Sequence, residues 1–301
     1  MHPLRPGGIH GPPALARRAA APSSVWSKLN SVRYLLALLV SVSLSAASVD
    51  GLNIHSTVTG KGAKTVILVH GYTCDETTWT EQVPALAKQY RVVTLDLPGH
   101  GKSDSPKVGD FSMDLFARAV EAVRAEVNAD RVVLVGHSMG TPVILRYAHL
   151  YPQHTIALVF AEGLMPLSPA AATAMAKQGA MMAGPSGPAA REAMIHSFFV
   201  AGTSPEVQAK VLKMMMGAPE ATAVGAMNAS REPAGQTTDI PNVPILGIYA
   251  GPSHIASREA VLAHFPNTEY TSIPDTGHFL MLEKPEEFNR ILLAFLAKQK
   301  F

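Results

Sequence analysis

The stretch VVLVGHSMGTPVILRYA, residues 132–148, decides the fold of this chain. Its apolar run at 132–135 predicts a buried strand, and the sequence after Gly140 favours a helix. Between them lies Gly136-His137-Ser138-Met139-Gly140, the G-x-S-x-G pattern of a nucleophile elbow in its strand–turn–helix context. We predict that Ser138 is a nucleophile on a tight, strained turn. The N-terminus of the following helix would favour negative charge that develops there.

Outward from this stretch, apolar runs alternate with helical segments from about residue 50 to the end of the chain. Continuous apolar runs separated by helices are typical of parallel strands that are covered on both faces. We therefore predict an α/β fold with a mostly parallel central sheet. Residues 52–60 alternate in polarity and predict an antiparallel edge strand. The predicted strands are 65–70, 91–96, 131–136, 155–162, 243–250 and 268–273, and the predicted helices are 77–89, 112–128, 139–151 and 283–299.

One long segment, residues 163–240, contains no convincing strand and holds nine of the 13 methionines. We predict a helical lid here, inserted between two parts of the body at 48–162 and 241–301. Methionine is flexible and polarizable, so it suits surfaces that accept varied apolar shapes. These methionines contact substrate or pack the lid onto the body, and both interpretations can hold together. Three of them are predicted to bind substrate: Met165, Met181 and Met214.

Composition indicates one globular core and argues against nucleic-acid binding and against a cysteine-based site. The chain has 301 residues, of which 47% are hydrophobic and 16% charged, which is enough for one sizeable core. The formal net charge of +2 is too small to indicate a nucleic-acid-binding surface. The single cysteine, Cys74, excludes an intramolecular disulfide and a cysteine-rich metal site.

The N-terminal segment, residues 1–47, has the pattern of a secretory leader. It contains basic residues and no acidic one, an apolar run at 34–44, and small residues at Ser45 and Ala47 before a cut expected after Ala47. The apolar run is short for a membrane span, so we expect no stable membrane anchor. The predicted location is periplasmic or secreted. More than 30 residues precede the apolar run, which is long for the basic region of a signal peptide. The alternative is an uncleaved anchor or a chance apolar stretch.

A serine nucleophile needs a base, and His278 is the predicted base. It stands in IPDTGHFLMLEKPEEF (273–288), a loop after the last predicted strand, and it follows the serine in the order expected for such sites. Three other histidines are interpreted as structural and one remains a minor rival: His70, His100 and His137, and then His254.

The oxyanion of an acyl-transfer reaction needs two backbone N–H donors. Met139, directly after the nucleophile, is predicted to supply one. Tyr72 is predicted to supply the other, because Gly71 lets the chain turn sharply after the first parallel strand. Trp79 is expected to pack the following helix. Cys74 is interpreted as a small packed thiol.

Four ordered motifs together resemble the α/β-hydrolase superfamily, over a region from about residue 50 to the C-terminus. They are VILVHGY (66–72), LDLPGHGKSD (95–104), LVGHSMG (134–140) and GHFLMLEKPEEF (277–288). The resemblance implies a cofactor-free hydrolase of esters, lactones, thioesters or amides. It also implies a lid at the position of the segment after Glu162.

The resemblance fails at the third residue of the family's catalytic triad, the acid that orients the histidine. Common family members have an aspartate after the strand that corresponds to PILGIYA (244–250), but here GPSHIAS (251–257) contains no acidic residue. Some lipases, haloalkane dehalogenases and zearalenone-type lactonases place the acid at the end of the strand after the elbow helix, where this chain has Glu162. We predict that Glu162 orients His278, with Asp239 and Asp275 as rivals. Two further acids resemble structural acids of the family: Asp96 and Glu283.

The sequence thus predicts a serine hydrolase that cleaves a carboxylic ester of a fairly apolar small molecule, without metal or cofactor. A lactonase, a C–C bond hydrolase and a perhydrolase on the same scaffold stay open. A non-enzymatic ligand receptor is the remaining alternative, because the same fold also serves that role.

Overall fold

The computed structural model describes residues 42–43, 47–107, 109–253 and 255–301. Residues 1–41 and 44–46 of the leader, and His254, lie outside the described residues, so the predictions made for the leader and for His254 stay predictions. Ala47 is described, and it begins a short strand in which it pairs with Ile54.

Ten strands are described, and eight of them form one central sheet. The strands are β1 Val42–Ser43, β2 Ala47–Val49, β3 Leu52–Ile54, β4 Ser56–Thr59, β5 Thr65–Val69, β6 Arg91–Leu95, β7 Val132–His137, β8 Thr155–Ala161, β9 Ile245–Gly251 and β10 Glu269–Pro274. The order in the central sheet is β1-β4-β6-β5-β7-β8-β9-β10. The six strands from β6 to β10 along this order run parallel, whereas β4 pairs antiparallel with both β1 and β6.

The predicted edge strand at 52–60 is divided in the structure. Its first part, β3, pairs antiparallel with β2 in a separate two-stranded sheet. Only the second part, β4, joins the central sheet, and β1 lies beyond it, so β4 is not the edge. Alternating polarity identified the extended conformation but did not locate the break between the two strands.

Helices cover the sheet by packing their apolar faces against its buried strands. The helices of the body are α1 Val83–Leu86, α2 Met113–Glu126, α3 Gly140–Leu150, α8 Arg258–His264, α9 Leu280–Glu283 and α10 Pro285–Ala297. Helices α2 and α3 contact each other, and α1 contacts α10. Strands β5 and β7 are almost entirely inaccessible to solvent, as expected for strands that are covered on both faces. This architecture confirms the predicted fold class.

Four helices lie between β8 and β9, in the segment predicted to be a lid: α4 Pro169–Met182, α5 Gly187–His196, α6 Pro205–Gly217 and α7 Glu220–Ala229. Serine side chains cap the first turns of α4 and α6, where proline at the first helical position is also favourable. Helix α4 contacts α5 and α7, and α5 contacts α6, so the four helices form a connected layer. Among the described residues, no helix is long and apolar enough to cross a membrane.

Candidate active site

Ser138 lies on the turn between β7 and α3, and its backbone is strained. Its φ of +52° is in the left-handed region, which costs energy for a residue with a side chain. A Cβ atom on Gly136 would clash with the backbone of Gly140, and one on Gly140 would clash with the carbonyl of Val69. The tight packing that the sequence predicted for this elbow is therefore present. Ser138 is 8% exposed, so the residue is buried.

His278 lies in the turn between β10 and α9, and both of its peptide groups are hydrogen-bonded. Its N–H donates to the carbonyl oxygen of Phe198 at 3.0 Å. Its own carbonyl oxygen accepts from His137 Nε2 at 2.9 Å. Its Nδ1 lies 3.5 Å from Oε2 of Glu162, so the imidazole and the carboxylate predicted to form a pair are adjacent.

Glu162 directly follows β8 and is 1% exposed. Because β8 and β9 are parallel neighbours, the end of β8 lies beside β9. The backbone N–H of Ala250, in β9, donates to Glu162 Oε1 at 2.6 Å, and Glu162 N donates to the carbonyl of Ile248 at 2.9 Å. These bonds hold one carboxylate oxygen, while the other lies next to His278. Glu162 also has a positive φ of +47°, a second strained residue at this site.

The rival acids lie elsewhere. The Asp239 side chain is 89% exposed, and its carboxylate lies 3.3 Å from His149. Asp275 is exposed on the turn before His278. In the described part of the chain, neither aspartate hydrogen-bonds to His278.

The two acids interpreted as structural do hold loops. Asp96 is buried and accepts backbone hydrogen bonds from Glu76 at 2.7 Å and Lys102 at 2.8 Å. Glu283 accepts from the N–H of Gly277, next to His278, at 2.9 Å. Both carboxylates therefore fix backbone near the ends of the parallel strands.

Tyr72 and Met139, the predicted oxyanion donors, both line the same cavity as Ser138 and His278. Neither backbone N–H donates a hydrogen bond to another described residue. Free N–H groups beside a nucleophile suit the oxygen of a tetrahedral intermediate. Ser138 Oγ and His278 Nε2 form no hydrogen bond in the described residues, and both residues line the cavity.

The cavity measures about 180 Å³ and lies between the body and the lid. Its wall is mostly apolar, with a few polar side chains. The lid residues that line it are Leu164, Met175, Gln178, Met194, Ser197, Phe198, Met227 and Ser230.

The methionines chosen from the sequence are not those of this cavity. Met165 is buried but does not line it. Met181 is 60% exposed. Met214 lines a different cavity and accepts a hydrogen bond from Thr78 Oγ1 at 3.4 Å. For Met181, the helical face on which it lies explains why it does not line this cavity. Six residues along a helix turn the chain by roughly 240°, so Met175 and Met181 of α4 point in different directions.

The three histidines interpreted as structural are buried, and burial lowers the pKa of each imidazole. His70 accepts a hydrogen bond at Nε2 from the N–H of Leu97 at 3.0 Å, which ties two loops together. Burial lowers the pKa of His100 to about 3. Burial, and then the neighbouring His278, lowers the pKa of His137 well below its ordinary value. Trp79 is fully buried, and burial raises the pKa of the Cys74 thiol far above its ordinary value, as expected for a packed thiol.

One group of described side chains has the spacing of metal ligands: His55, Glu76 and Asp96. Lys102 already supplies a cation there, because its Nζ donates to Glu76 Oε1 at 2.9 Å. The Asp96 oxygens are also used by backbone N–H groups. This arrangement is a loop-fixing ion pair rather than an open ligand set.

Two features of the site carry no sequence signal. Ala250 contributes a backbone N–H, which every residue except proline has. Phe198 packs its ring 4.4 Å from that of His278, measured between centroids. Its segment, HSFFV at 196–200, has nothing that marks a contact with a loop 80 residues later.

A family model for the α/β-hydrolase fold matches residues 64–210, which contain the elbow and the strand that ends at Glu162. The chain has the α/β-hydrolase fold. This match supports hydrolase chemistry for the protein.

Among solved structures, a thermophilic esterase from Thermogutta terrifontis superposes with a TM-score of 0.76 at 27% identity. The match covers 86% of this chain and 98% of the esterase.

Two curated relatives are matched only in part. The dihydrolipoyllysine-residue acetyltransferase component of the acetoin cleaving system of Pseudomonas putida is 29% identical over 252 residues. The match covers 79% of this chain and 65% of that relative, so the chain spans just under two thirds of its length. A 2-hydroxy-6-oxononadienedioate/2-hydroxy-6-oxononatrienedioate hydrolase of Paraburkholderia phymatum is 36% identical over 116 residues, which cover 37% of this chain and 40% of that one.

Proposed function

We propose that this protein is a serine esterase that cleaves a carboxylic ester through an acyl-enzyme intermediate. The observation that carries the proposal is the contact of His278 Nδ1 with Glu162 Oε2 in a site where Ser138 and His278 line one cavity. A nucleophile, a base and a buried acid that orients the base are the parts that this chemistry needs.

In the proposed mechanism, Ser138 Oγ attacks the ester carbonyl while His278 Nε2 takes its proton. The N–H groups of Tyr72 and Met139 donate to the oxyanion. His278 then gives the proton to the departing alcohol, and the acyl group stays on Ser138. A water molecule, deprotonated by the same histidine, releases the acid. Glu162 stabilises the imidazolium in both steps and keeps a proton on Nδ1.

The cavity supports a small and fairly apolar substrate. Its volume of about 180 Å³ is below the ~300–1,000 Å³ of most ligand pockets. This small volume favours a short acyl or alcohol group over a long one. Methionine, leucine and phenylalanine side chains form much of the lid side of the cavity, which favours an apolar group.

The test compares kcat/KM on p-nitrophenyl acetate, butyrate and octanoate for wild type and Ser138→Ala. We expect the short esters to be preferred, and Ser138→Ala to lose at least about 10³-fold. A fluorophosphonate probe should label wild type at Ser138 and leave the variant unlabelled. Turnover by Ser138→Ala equal to that of wild type would refute the serine mechanism. A wild type that neither reacts with the probe nor turns over an ester would favour a ligand receptor.

A C–C bond hydrolase is the second candidate. It is supported by the 36% identity with the Paraburkholderia phymatum hydrolase, although the match covers only 116 residues. A ring-cleavage 2-hydroxy-6-oxo-diene acid, assayed beside the p-nitrophenyl esters, separates the two. A higher kcat/KM on the diene acid would replace the esterase proposal. A simple aromatic lactone in the same assay tests the lactonase alternative.

We also propose that the protein is exported and cut after Ala47, on the basis of the leader pattern alone. N-terminal sequencing of protein recovered from the periplasm or the medium should begin at Ser48. Recovery of the intact leader in the cell pellet would contradict the export proposal.

A further inference from the structure

A short segment of the lid, residues 197–203 between α5 and α6, lies directly against the loop that carries His278. We call it the lid clamp. The Phe198 carbonyl oxygen accepts the His278 N–H at 3.0 Å. A Cβ atom on Gly277 would collide with this carbonyl oxygen, so glycine is what allows the two backbones to approach. The backbone of the predicted base is therefore bonded to the lid and not only to the body.

The Phe198 side chain forms the second contact. Its ring centroid is 4.4 Å from that of His278, with 35° between the ring planes. The ring centroid of His137, a residue of the elbow, is 4.7 Å from the ring centroid of His278. Two rings, one from the lid and one from the body, thus limit how the imidazole of His278 can turn.

A hydrogen-bonded pair forms the third contact. Thr203 Oγ1, in the lid clamp, donates to Glu283 Oε2 at 3.2 Å. The same carboxylate oxygen accepts from the N–H of Gly277 at 2.9 Å. Thr203 Oγ1 also accepts from the N–H of Val200 at 3.0 Å, which fixes the shape of the lid clamp itself. The glutamate therefore links the lid clamp to the backbone directly before His278.

These contacts matter because Glu162 by itself holds the imidazole loosely. The distance from His278 Nδ1 to Glu162 Oε2, 3.5 Å, is longer than the ~2.7–2.9 Å of a strong charge-assisted bond. An imidazole held only by that bond would have freedom to turn away from Ser138. Displacements on the order of 1 Å in a catalytic group can cost about 10²-fold in rate.

We propose that Phe198 is a positioning residue for His278, and that the lid clamp couples the seating of the lid to the orientation of the base. The inference rests on the proposed role of His278 as the general base. Phe198 also lines the cavity, so a role restricted to substrate contact is the competing explanation.

The test uses two substitutions of Phe198 that separate ring contact from cavity volume. Phe198→Tyr keeps the ring, whereas Phe198→Leu keeps an apolar side chain but loses the flat surface. Met194→Leu is the matched control, because Met194 lines the same cavity. We measure kcat and KM separately on p-nitrophenyl butyrate, with the fold of each variant checked by circular dichroism.

We expect Phe198→Leu to lower kcat about tenfold or more while KM changes less than about twofold. Phe198→Tyr should retain kcat within about threefold, and Met194→Leu should affect mainly KM. If Phe198→Leu keeps the wild-type kcat and raises KM as Met194→Leu does, the residue is only a wall of the cavity and the proposal is wrong.

A second pair of variants acts on the lid clamp outside the cavity and covers the case in which Phe198→Leu does not fold. Thr203→Val removes the hydroxyl that bonds to Glu283, and Thr203→Ser restores it. We expect a severalfold loss of kcat in Thr203→Val and recovery in Thr203→Ser. Equal kcat values for both would also count against the proposal.

Failure of the esterase proposal is distinguishable from failure of this one. The rate at which a fluorophosphonate labels Ser138 depends on the base but not on the choice of ester. If wild type is labelled and hydrolyses no ester, the order of labelling rates among wild type, Phe198→Tyr and Phe198→Leu still decides the positioning role. If wild type is not labelled either, both proposals fall.

Discussion

Replacing Glu162 by glutamine is the sharpest test of the site. The substitution keeps the size of the side chain and an oxygen that can accept from the N–H of Ala250, but it removes the negative charge beside His278. For charges 3.5 Å apart and an effective dielectric constant of about 20, the lost attraction to the imidazolium is about 5 kcal/mol. Since about 1.4 kcal/mol is tenfold in rate, we expect kcat/KM to fall by at least about 10³-fold.

The tautomer of His278 adds to this loss. In the proposed mechanism, the carboxylate accepts a hydrogen bond from a protonated Nδ1 and leaves Nε2 free as the base. A carboxamide turned with its NH2 group toward His278 would favour the opposite tautomer, in which Nε2 carries the proton and cannot act as a base. The charge and the tautomer effects therefore have the same sign.

The assay measures kcat/KM on p-nitrophenyl butyrate for wild type, Glu162→Gln and Asp275→Asn. Ser138→Ala gives the background rate without the proposed nucleophile. Asp275→Asn is the matched control, because this rival acid is exposed and three residues from His278. We expect it to stay within about twofold of wild type. A loss below about tenfold in Glu162→Gln, with the fold intact by circular dichroism, would refute the assignment of Glu162.

Two further predictions concern the folded state. Burial lowers the pKa of His100 to about 3, whereas an unfolded chain has a histidine pKa of about 6.5, so the unfolded state binds more protons between these values. The free energy of unfolding should therefore fall as the pH drops below about 6.5, and urea unfolding at about pH 7.5 and about pH 5 checks this; equal midpoints would contradict it. The Cys74 thiol is buried and its pKa is raised, so it should react with a disulfide reagent only after denaturation, and fast reaction of the native protein would show that the loop opens.

The local parts of the site were predictable from the sequence. The elbow is a contiguous strand, turn and helix, and its glycines lie where a Cβ atom would collide with backbone. The loop of His278 is likewise one continuous motif at the end of a strand. The absence of an acid at 251–257 left Glu162 as the acid at the end of a neighbouring strand. In each case, residues close in the chain, or strand ends of a parallel sheet, decide the position.

The methionines show the limit of that reasoning. The sequence of α4, PAAATAMAKQGAMM, distributes its apolar residues around the helix, so no stripe marks the face that turns toward the cavity. Packing of α4 on α7 decides that face, and it places Met175 inside and Met181 outside. Methionine content indicated that the lid is apolar but not which side chains reach the cavity.

The sequence by itself therefore determined the parallel sheet, the elbow that carries Ser138 and the order of Ser138, Glu162 and His278 along the chain, because these depend on local backbone geometry and on the apolar pattern of single strands. The tertiary structure decided what meets across the chain. The register of β8 and β9 brings the N–H of Ala250 to Glu162, and the return of the lid after α5 brings Phe198 to His278. Such contacts join residues 80 or more positions apart, and they depend on how whole elements pack rather than on any pattern within one element.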